Sequence, residues 1–188
     1  MTDNSATFAN QFLIAMPALA DPNFVRSVTY ICEHGPQGTL GIVINRPLDI
    51  TLQVVFEHMN IPLHNIAAAD MPVYLGGPVE PERGFVLHSP VGNWNSSVQI
   101  TPELAITTSR DILESIAEGK GPIQALIALG YAGWGPGQLE KEMADNAWLN
   151  GPSDANLLFA TPADDRWEAA AALLGINLHL LSTAAGHA

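Results

Sequence analysis

A single domain of mixed α and β structure, α+β or α/β, is the fold this sequence predicts, and three observations predict it. The chain has 188 residues, 47% of them hydrophobic, enough to bury one substantial core. No polar, serine-rich or glycine-rich linker interrupts it, so residues 1–188 read as one domain with a loose start over 1–10. Short apolar runs alternate along the chain with segments whose apolar residues recur every three or four positions, so strands and helices share one chain.

Gln11 to Met16 and Val28 to His34 read as strands separated by the turn signal Asp21-Pro22-Asn23. In the second strand, strict alternation puts Tyr30, Cys32 and His34 on one face and Thr29, Ile31 and Glu33 on the other. Gly35 to Gly38 is a turn, and Leu40 to Asn45 is a returning strand closed by Arg46-Pro47, so the pair forms a hairpin. Thr51 to Met59 makes a short helix with Leu52, Val55, Phe56 and Met59 on one face. Met71 to Leu75 and Gly84 to His88 are strands joined by the loop Gly76 to Arg83, GGPVEPER. Val98 to Ile100 and Leu104 to Thr108 are short strands around Thr101-Pro102-Glu103. Thr108 and Asp111 stand at capping-box spacing before a helix that ends at Gly119.

Ile123 to Ala132 is apolar enough for a buried strand or a buried helix, and the glycine-rich turn and fresh helix after it favour strand. That turn, GYAGWGPGQLE from Gly130 to Glu140, sets four glycines and a proline around Trp134. It reads as strand, tight loop and helix start, with Gly133 or Gly135 expected at positive φ or pressed against another segment. Asn150-Gly151-Pro152 reads as a turn and Asn156 to Ala160 as a strand. Thr161-Pro162-Ala163-Asp164 then opens a last helix through Leu174, with proline at its first position.

Phe12 to His34 (FLIAMPALADPNFVRSVTYICEH), Gly41 to Pro47 (GIVINRP), Leu75 to His88 (LGGPVEPERGFVLH), the glycine-tryptophan run and the terminal Gly186 to Ala188 (GHA) together resemble the bacterial YqgE/AlgH family. The resemblance extends over nearly the whole chain. It implies a compact cytosolic domain with a mixed, partly barrel-like β-sheet and flanking helices. The family name derives from a link to alginate regulation, and members are often labelled transcriptional regulators. The resemblance brings no agreed catalytic residues.

Composition excludes some functions. Nineteen acids against seven bases give a net charge of −12, a poor balance for phosphate-backbone contacts, so direct nucleic-acid binding is not expected. The five arginines, Arg26, Arg46, Arg83, Arg110 and Arg166, stand beside turn residues or aromatics, which suggests placed forks more than a cationic coat. The single cysteine, Cys32, excludes an intramolecular disulfide and fits a reducing compartment, the cytoplasm. Phe12 to Ala20 imitates a signal peptide, with Ala18-Leu19-Ala20 as a cleavage-like site. No Lys or Arg precedes it, Asp3 lies upstream and Pro17 interrupts it, so neither export nor a membrane span is expected.

Several motifs carry competing readings. The glycine run can present amides to an anion at the start of the Gln138 helix, but it lacks a P-loop ending and departs from GxGxxG. Its packing reading is that the glycines let Tyr131 and Trp134 pack while the chain reverses. Cys32-Glu33-His34 invites a thiolate-imidazole pair, although two ligands are too few for zinc and a cysteine in an apolar strand is most often core. Asn45, Arg46, Glu80, Glu82, Arg83 and His88 form a polar cluster if the two hairpins meet, with Arg83 clamping an anion and His88 titrating near neutrality; otherwise they anchor loops. Trp134, Trp148 and Trp167 read as core or interface anchors. His58, His64, His179 and His187 lack ligand spacing, and no serine sits in a GxSxG elbow.

No catalytic residue, cofactor or metal is expected. The candidate ligand-binding residues are Asn45, Arg46, Gly76, Gly77, Arg83, His88, Gly133, Gly135 and Gln138. The reading that follows is a non-enzymatic cytosolic binding or regulatory domain for a protein partner or small ligand. The alternative is an enzyme or a small anionic-ligand module built from the 76–88 and 130–138 loops.

Overall fold

A computed structural model describes residues 7–185; the terminal GHA motif and His187 lie outside the described residues. The chain begins with β1 (Gln11–Ala15), β2 (Val28–Gly35) and β3 (Gly38–Val43), an antiparallel meander. There follow β4 (Pro47–Thr51), α1 (Leu52–His58), α2 (Ile66–Ala69), β5 (Pro72–Leu75), β6 (Val79–Ser89), β7 (Ser97–Gln99), β8 (Ala105–Thr107) and α3 (Arg110–Ala117). The last third contains β9 (Gln124–Trp134), α4 (Gln138–Ala144), β10 (Trp148–Pro152), α5 (Ala155–Phe159), α6 (Arg166–Ala172) and α7 (Leu178–Ala185), with a 3-10 turn at Ala163–Asp165.

The fold is α+β, as the sequence predicts: a sheet ordered β10-β1-β2-β3-β9-β6-β8-β7, curled into a half-barrel with flanking helices. β9 organises it. One edge of β9 takes β6 along Gln124–Tyr131; the other takes β5 in parallel at Ile127–Leu129 and then β3 antiparallel at Ala132–Trp134. That parallel pair in an otherwise antiparallel sheet makes it mixed.

Three apolar clusters hold the layers together. Phe12, Tyr30, Ile42, Leu87 and Leu126 pack with Leu157, Trp167 and Leu178 from α5, α6 and α7. Leu52 and Phe56 of α1 and Ile112 and Ile116 of α3 cover Val73, Val86 and Ile127. Leu13, Ile31, Trp134 and Trp148 gather around Leu139 of α4. Fully burying side chains of this size contributes about 2 kcal/mol each, so amphipathic helices too short to persist alone are held by the sheet. No helix among the described residues is long and apolar enough to cross a membrane.

The structure differs from the sequence reading at several elements, each for a local reason. Ile31 pairs with Gly41 and Glu33 with Leu40, leaving Cys32 as an extra residue in a bulge. The bulge reverses the alternation: Cys32 joins Tyr30 in the core, while His34 turns to Phe8 and Glu140. Most of the expected loop 76–83 is strand, because β6 starts at Val79 and absorbs an irregularity before Gly84. Asn150-Gly151-Pro152 is not a turn but edge strand paired with Gln11–Leu13, and Gly151 is needed there because a Cβ would sit 2.7 Å from Leu174. Asn156 to Ala160 is helical, since Asp154 caps α5 by accepting from the Leu157 amide at 2.8 Å. The expected last helix ends at Ala172 and a further one, α7, follows. The cap of α3 is Ser109, not Thr108.

The start of the domain is tied down where the structure describes it. Asn10 Oδ1 accepts from both Tyr30 Oη and Ser153 Oγ at 2.8 Å, and Phe8 packs beside the Trp134 cluster.

A candidate ligand groove beside the first helix

Leu52 and Phe56 bury one stripe of α1 completely, which turns the adjoining stripe of Val54, Val55, His58 and Met59 towards a groove of about 590 Å³. Phe85, Val86, Ile127 and Leu129 floor it, Pro81 and Gly84 of β6 form the opposite wall, and Thr108 to Arg110 close one end. Its size falls within the range of small-ligand and side-chain sites. Val54 remains 45% exposed at its lip.

Arg110 fixes the closed end. Its Nη1 donates to Met59 O and its Nε to Glu114, both at 2.7 Å, so it joins α3 to the end of α1 and is neutralised in doing so. Behind it, Asp111 accepts from Ser109 Oγ and from the Asn95 and Ile112 amides. Burial pushes the Asp111 carboxyl up, but those hydrogen bonds outweigh it and hold it below the usual carboxylate range. Glu82 lines the groove with no cation within 4 Å among the described residues. The groove therefore has an apolar floor and, with Arg110 held by Glu114, one unpaired carboxylate in its lining, Glu82.

The residues singled out from the sequence are dispersed. Asn45 and Arg46 tie down the turn before β2: Asn45 accepts from the Val28 amide and donates to Arg26 O, while Arg46 donates to Pro22 O and Val25 O. Arg83 pairs with Glu80 at 3.2 Å on the surface and lies over the Phe85 ring. His88 is fully buried, bonded to Thr107 Oγ1 at 2.7 Å and Pro90 O at 3.0 Å, with Trp94 against its ring. A carbonyl only accepts, so Nδ1 carries the proton and Nε2 accepts from Thr107. Burial lowers the affinity of His88 for a second proton, against the opposing pull of Pro90 O. These side chains do not meet in one cluster.

The two glycine segments do meet, but backbone to backbone. Gly76 and Gly77 lie against Gly130, Tyr131 and Ala132 so closely that no side chain fits between them. Neither Gly133 nor Gly135 has a positive φ or presses on another segment; the left-handed glycines of the run are Gly130 at +76° and Gly137 at +74°. Gln138 turns back to accept from the Gly135 amide at 3.0 Å, filling the place an anion would take. Cys32 and His34 are separated as well: burial, and then Glu33, push the Cys32 thiol up, while His34 bonds Glu140 at 2.7 Å and the Phe8 amide at 3.2 Å. Among the described residues no three His, Cys, Asp or Glu side chains gather as a metal site.

A half-barrel sheet with flanking helices, bearing an apolar groove beside α1, defines a mixed α+β domain. The chain belongs to the AlgH-like family, whose model matches residues 12–179. It is 60% identical over 184 residues to a UPF0301 protein of Thioalkalivibrio sulfidiphilus, covering 98% of each chain, and 53% identical to one of Hahella chejuensis over the full length of both. The solution structure of AlgH from Pseudomonas aeruginosa superposes with a TM-score of 0.80 at 49% identity, covering 100% of both chains. A crystal structure of a Corynebacterium diphtheriae protein shares the fold, with a TM-score of 0.73 at 20% identity over 95% of this chain and 93% of that one.

Proposed function

We propose that this chain is a cytoplasmic binding domain, not a catalyst, and that its working surface is the groove beside α1. The occupant is a segment of a partner protein whose apolar side chains are flanked by Lys or Arg. The observation that carries this reading is the coincidence of an apolar floor with an unpaired carboxylate, Glu82, while Arg110, the sole lysine or arginine lining the groove, is already neutralised by Glu114. An amphipathic segment would lay its apolar face on Phe85 and Leu129 and set a cation against Glu82. Regulation follows from occupancy of the partner. With a net charge of −12, any effect on transcription runs through that partner and not through contact with DNA.

Two synthetic amphipathic peptides with one apolar pattern, one flanked by Lys and one by Glu, test this by amide shifts. The Lys peptide is expected to shift Val54, His58, Gly84 and Leu113 saturably, and the Val54→Lys variant to weaken it about tenfold. Absence of groove shifts with the Lys peptide, or equal binding of the Glu peptide, overturns the proposal.

A further inference from the structure

Acids outnumber Lys and Arg by 19 to 7 in this chain, so a cation left without a carboxylate is conspicuous. Arg83, Arg110, Lys120 and Lys141 each have one within 4 Å. The remaining three, Arg26, Arg46 and Arg166, make no ion pair among the described residues, and they occupy one corner of the fold.

A chain of contacts joins them. Arg46 donates through Nη1 and Nη2 to Pro22 O at 2.9 Å and Val25 O at 2.8 Å, in the turn that carries Arg26. Asn45 ties the same turn by donating to Arg26 O at 2.9 Å. The Arg26 guanidinium lies 4.6 Å from the centre of the Trp167 ring, next in sequence to Arg166. Arg166 in turn donates to Ile44 O, one residue before Asn45, and to Thr161 O at 2.9 Å, with the Tyr74 ring 5.1 Å away.

The three differ in what they have left to give. Arg166 is 4% exposed and satisfied by carbonyls, so its positive charge is buried without a counter-ion, an arrangement that costs several kcal/mol unless an anion or aromatic partner offsets it. Arg46 Nε makes no hydrogen bond among the described residues, and Asp21 is close enough to raise its proton affinity against the effect of burial without forming an ion pair there. Arg26 is exposed, and none of its side-chain N–H groups makes a hydrogen bond among the described residues. It also has φ of +55°. A turn that needed only left-handed backbone would take Gly or Asn there, since a long side chain costs about 1 kcal/mol in that region.

We propose that this corner binds a phosphoryl group. Arg26, held by Trp167, offers its fork to two phosphoryl oxygens; Arg46 Nε adds a third donor; Arg166 supplies charge from behind; Asn45 is a positioning residue. A phosphomonoester is the group that fits, because it carries close to two negative charges and three acceptor oxygens against three guanidinium charges. The donor is a small phosphorylated metabolite in solution, and a phosphatidic acid headgroup presents the same chemistry.

Amide shifts distinguish the sources at constant ionic strength, using inorganic phosphate, glycerol 3-phosphate and vesicles with or without phosphatidic acid. Saturable shifts at Arg26 to Val28 and Asn45-Arg46 are expected with the two soluble anions, weakened about tenfold by Arg26→Gln and unchanged by Lys120→Gln, with melting curves of both variants matching the parent. Binding only to phosphatidic acid vesicles, lost in Arg26→Gln, supports the same site with a lipid source. No saturable response to any of the probes, or a response indifferent to Arg26→Gln, overturns the proposal. Arg46→Lys, which keeps charge but loses the fork, separates charge from geometry and is expected to bind more weakly than the parent.

Discussion

At Gly76, Gly77 and Gly130 the β5–β6 connection and β9 press backbone against backbone, whereas Gly133, Gly135 and Gly137 stand exposed at the end of β9 and the start of α4. A Cβ on Gly77 would lie 2.1 Å from the Tyr131 carbonyl carbon, one on Gly76 2.4 Å from Gly130 O, and one on Gly130 2.5 Å from Gly77 O. At Gly133 the nearest atom is the Tyr131 ring at 3.3 Å, and at Gly135 it is Gln138 Oε1 at 3.9 Å. The sequence draws attention to the second group because its glycines are dense. The packing constraint belongs to the first, which brings the Gly76-Gly77 pair against Gly130, 53 residues beyond Gly77. Close approach is a property of two segments, so the spacing within one segment does not reveal it.

The contrast predicts opposite responses to one methyl group. Gly77→Ala is expected to yield no folded protein, or to lose more than about 4 kcal/mol, because the atom it strikes is backbone and cannot rotate aside. Soluble yield and urea unfolding measure this, and a variant of near-parent stability would break the comparison.

The far end of β6, the strand that follows Gly77, gives an intermediate effect through His88. Its proton affinity is lower in the folded state, so the unfolded chain binds more protons whenever the pH falls below the ordinary histidine value. The His88 contribution is thus complete above about pH 6.5 and is lost on acidification at up to roughly 1.4 kcal/mol per pH unit. Urea midpoints taken across that range should fall, and His88→Gln, though weaker throughout, should fall less steeply. Parallel curves would show that other groups set the slope.

The smallest effects belong to the glycine run. Gly137→Ala should cost about 1 kcal/mol for its φ of +74° alone, since nothing lies within 4 Å of the added carbon. Gly135→Ala should fall within about 0.5 kcal/mol of the parent. Thermal melts of the pair resolve the ordering, and a large loss at Gly135 would restore importance to this run.

Elements that rest on periodicity were readable in the sequence. The β2–β3 hairpin, α1 with Leu52 and Phe56 inward, and β9 as strand rather than helix all follow from spacing and flanking turn residues. The bulge at Cys32 is invisible to alternation because an extra residue changes no composition, only phase. Asn156 to Ala160 is too short for its period to distinguish strand from helix, and the cap that decides it, Asp154, lies outside that span. At the sites, the position of each arginine beside turn residues or aromatics was legible. The grouping of Arg46 with Arg26 and Arg166 was not, because it is made by carbonyls of three distant segments. The groove was hidden for a similar reason. Val54 widens the apolar stripe of α1 beyond what its core contact uses, and that excess was the available signal.

The strand order also sets the timetable of synthesis. β3 finds its second neighbour only when β9 has been made, and β1 keeps an open edge until β10 has emerged and Trp148 to Pro152 can pair with it. At ordinary translation rates the first of these delays lasts on the order of ten seconds. Throughout it the nascent meander exposes apolar strand edges able to pair with other chains. A fragment that ends between β3 and β9 is therefore expected to aggregate instead of forming a smaller stable domain.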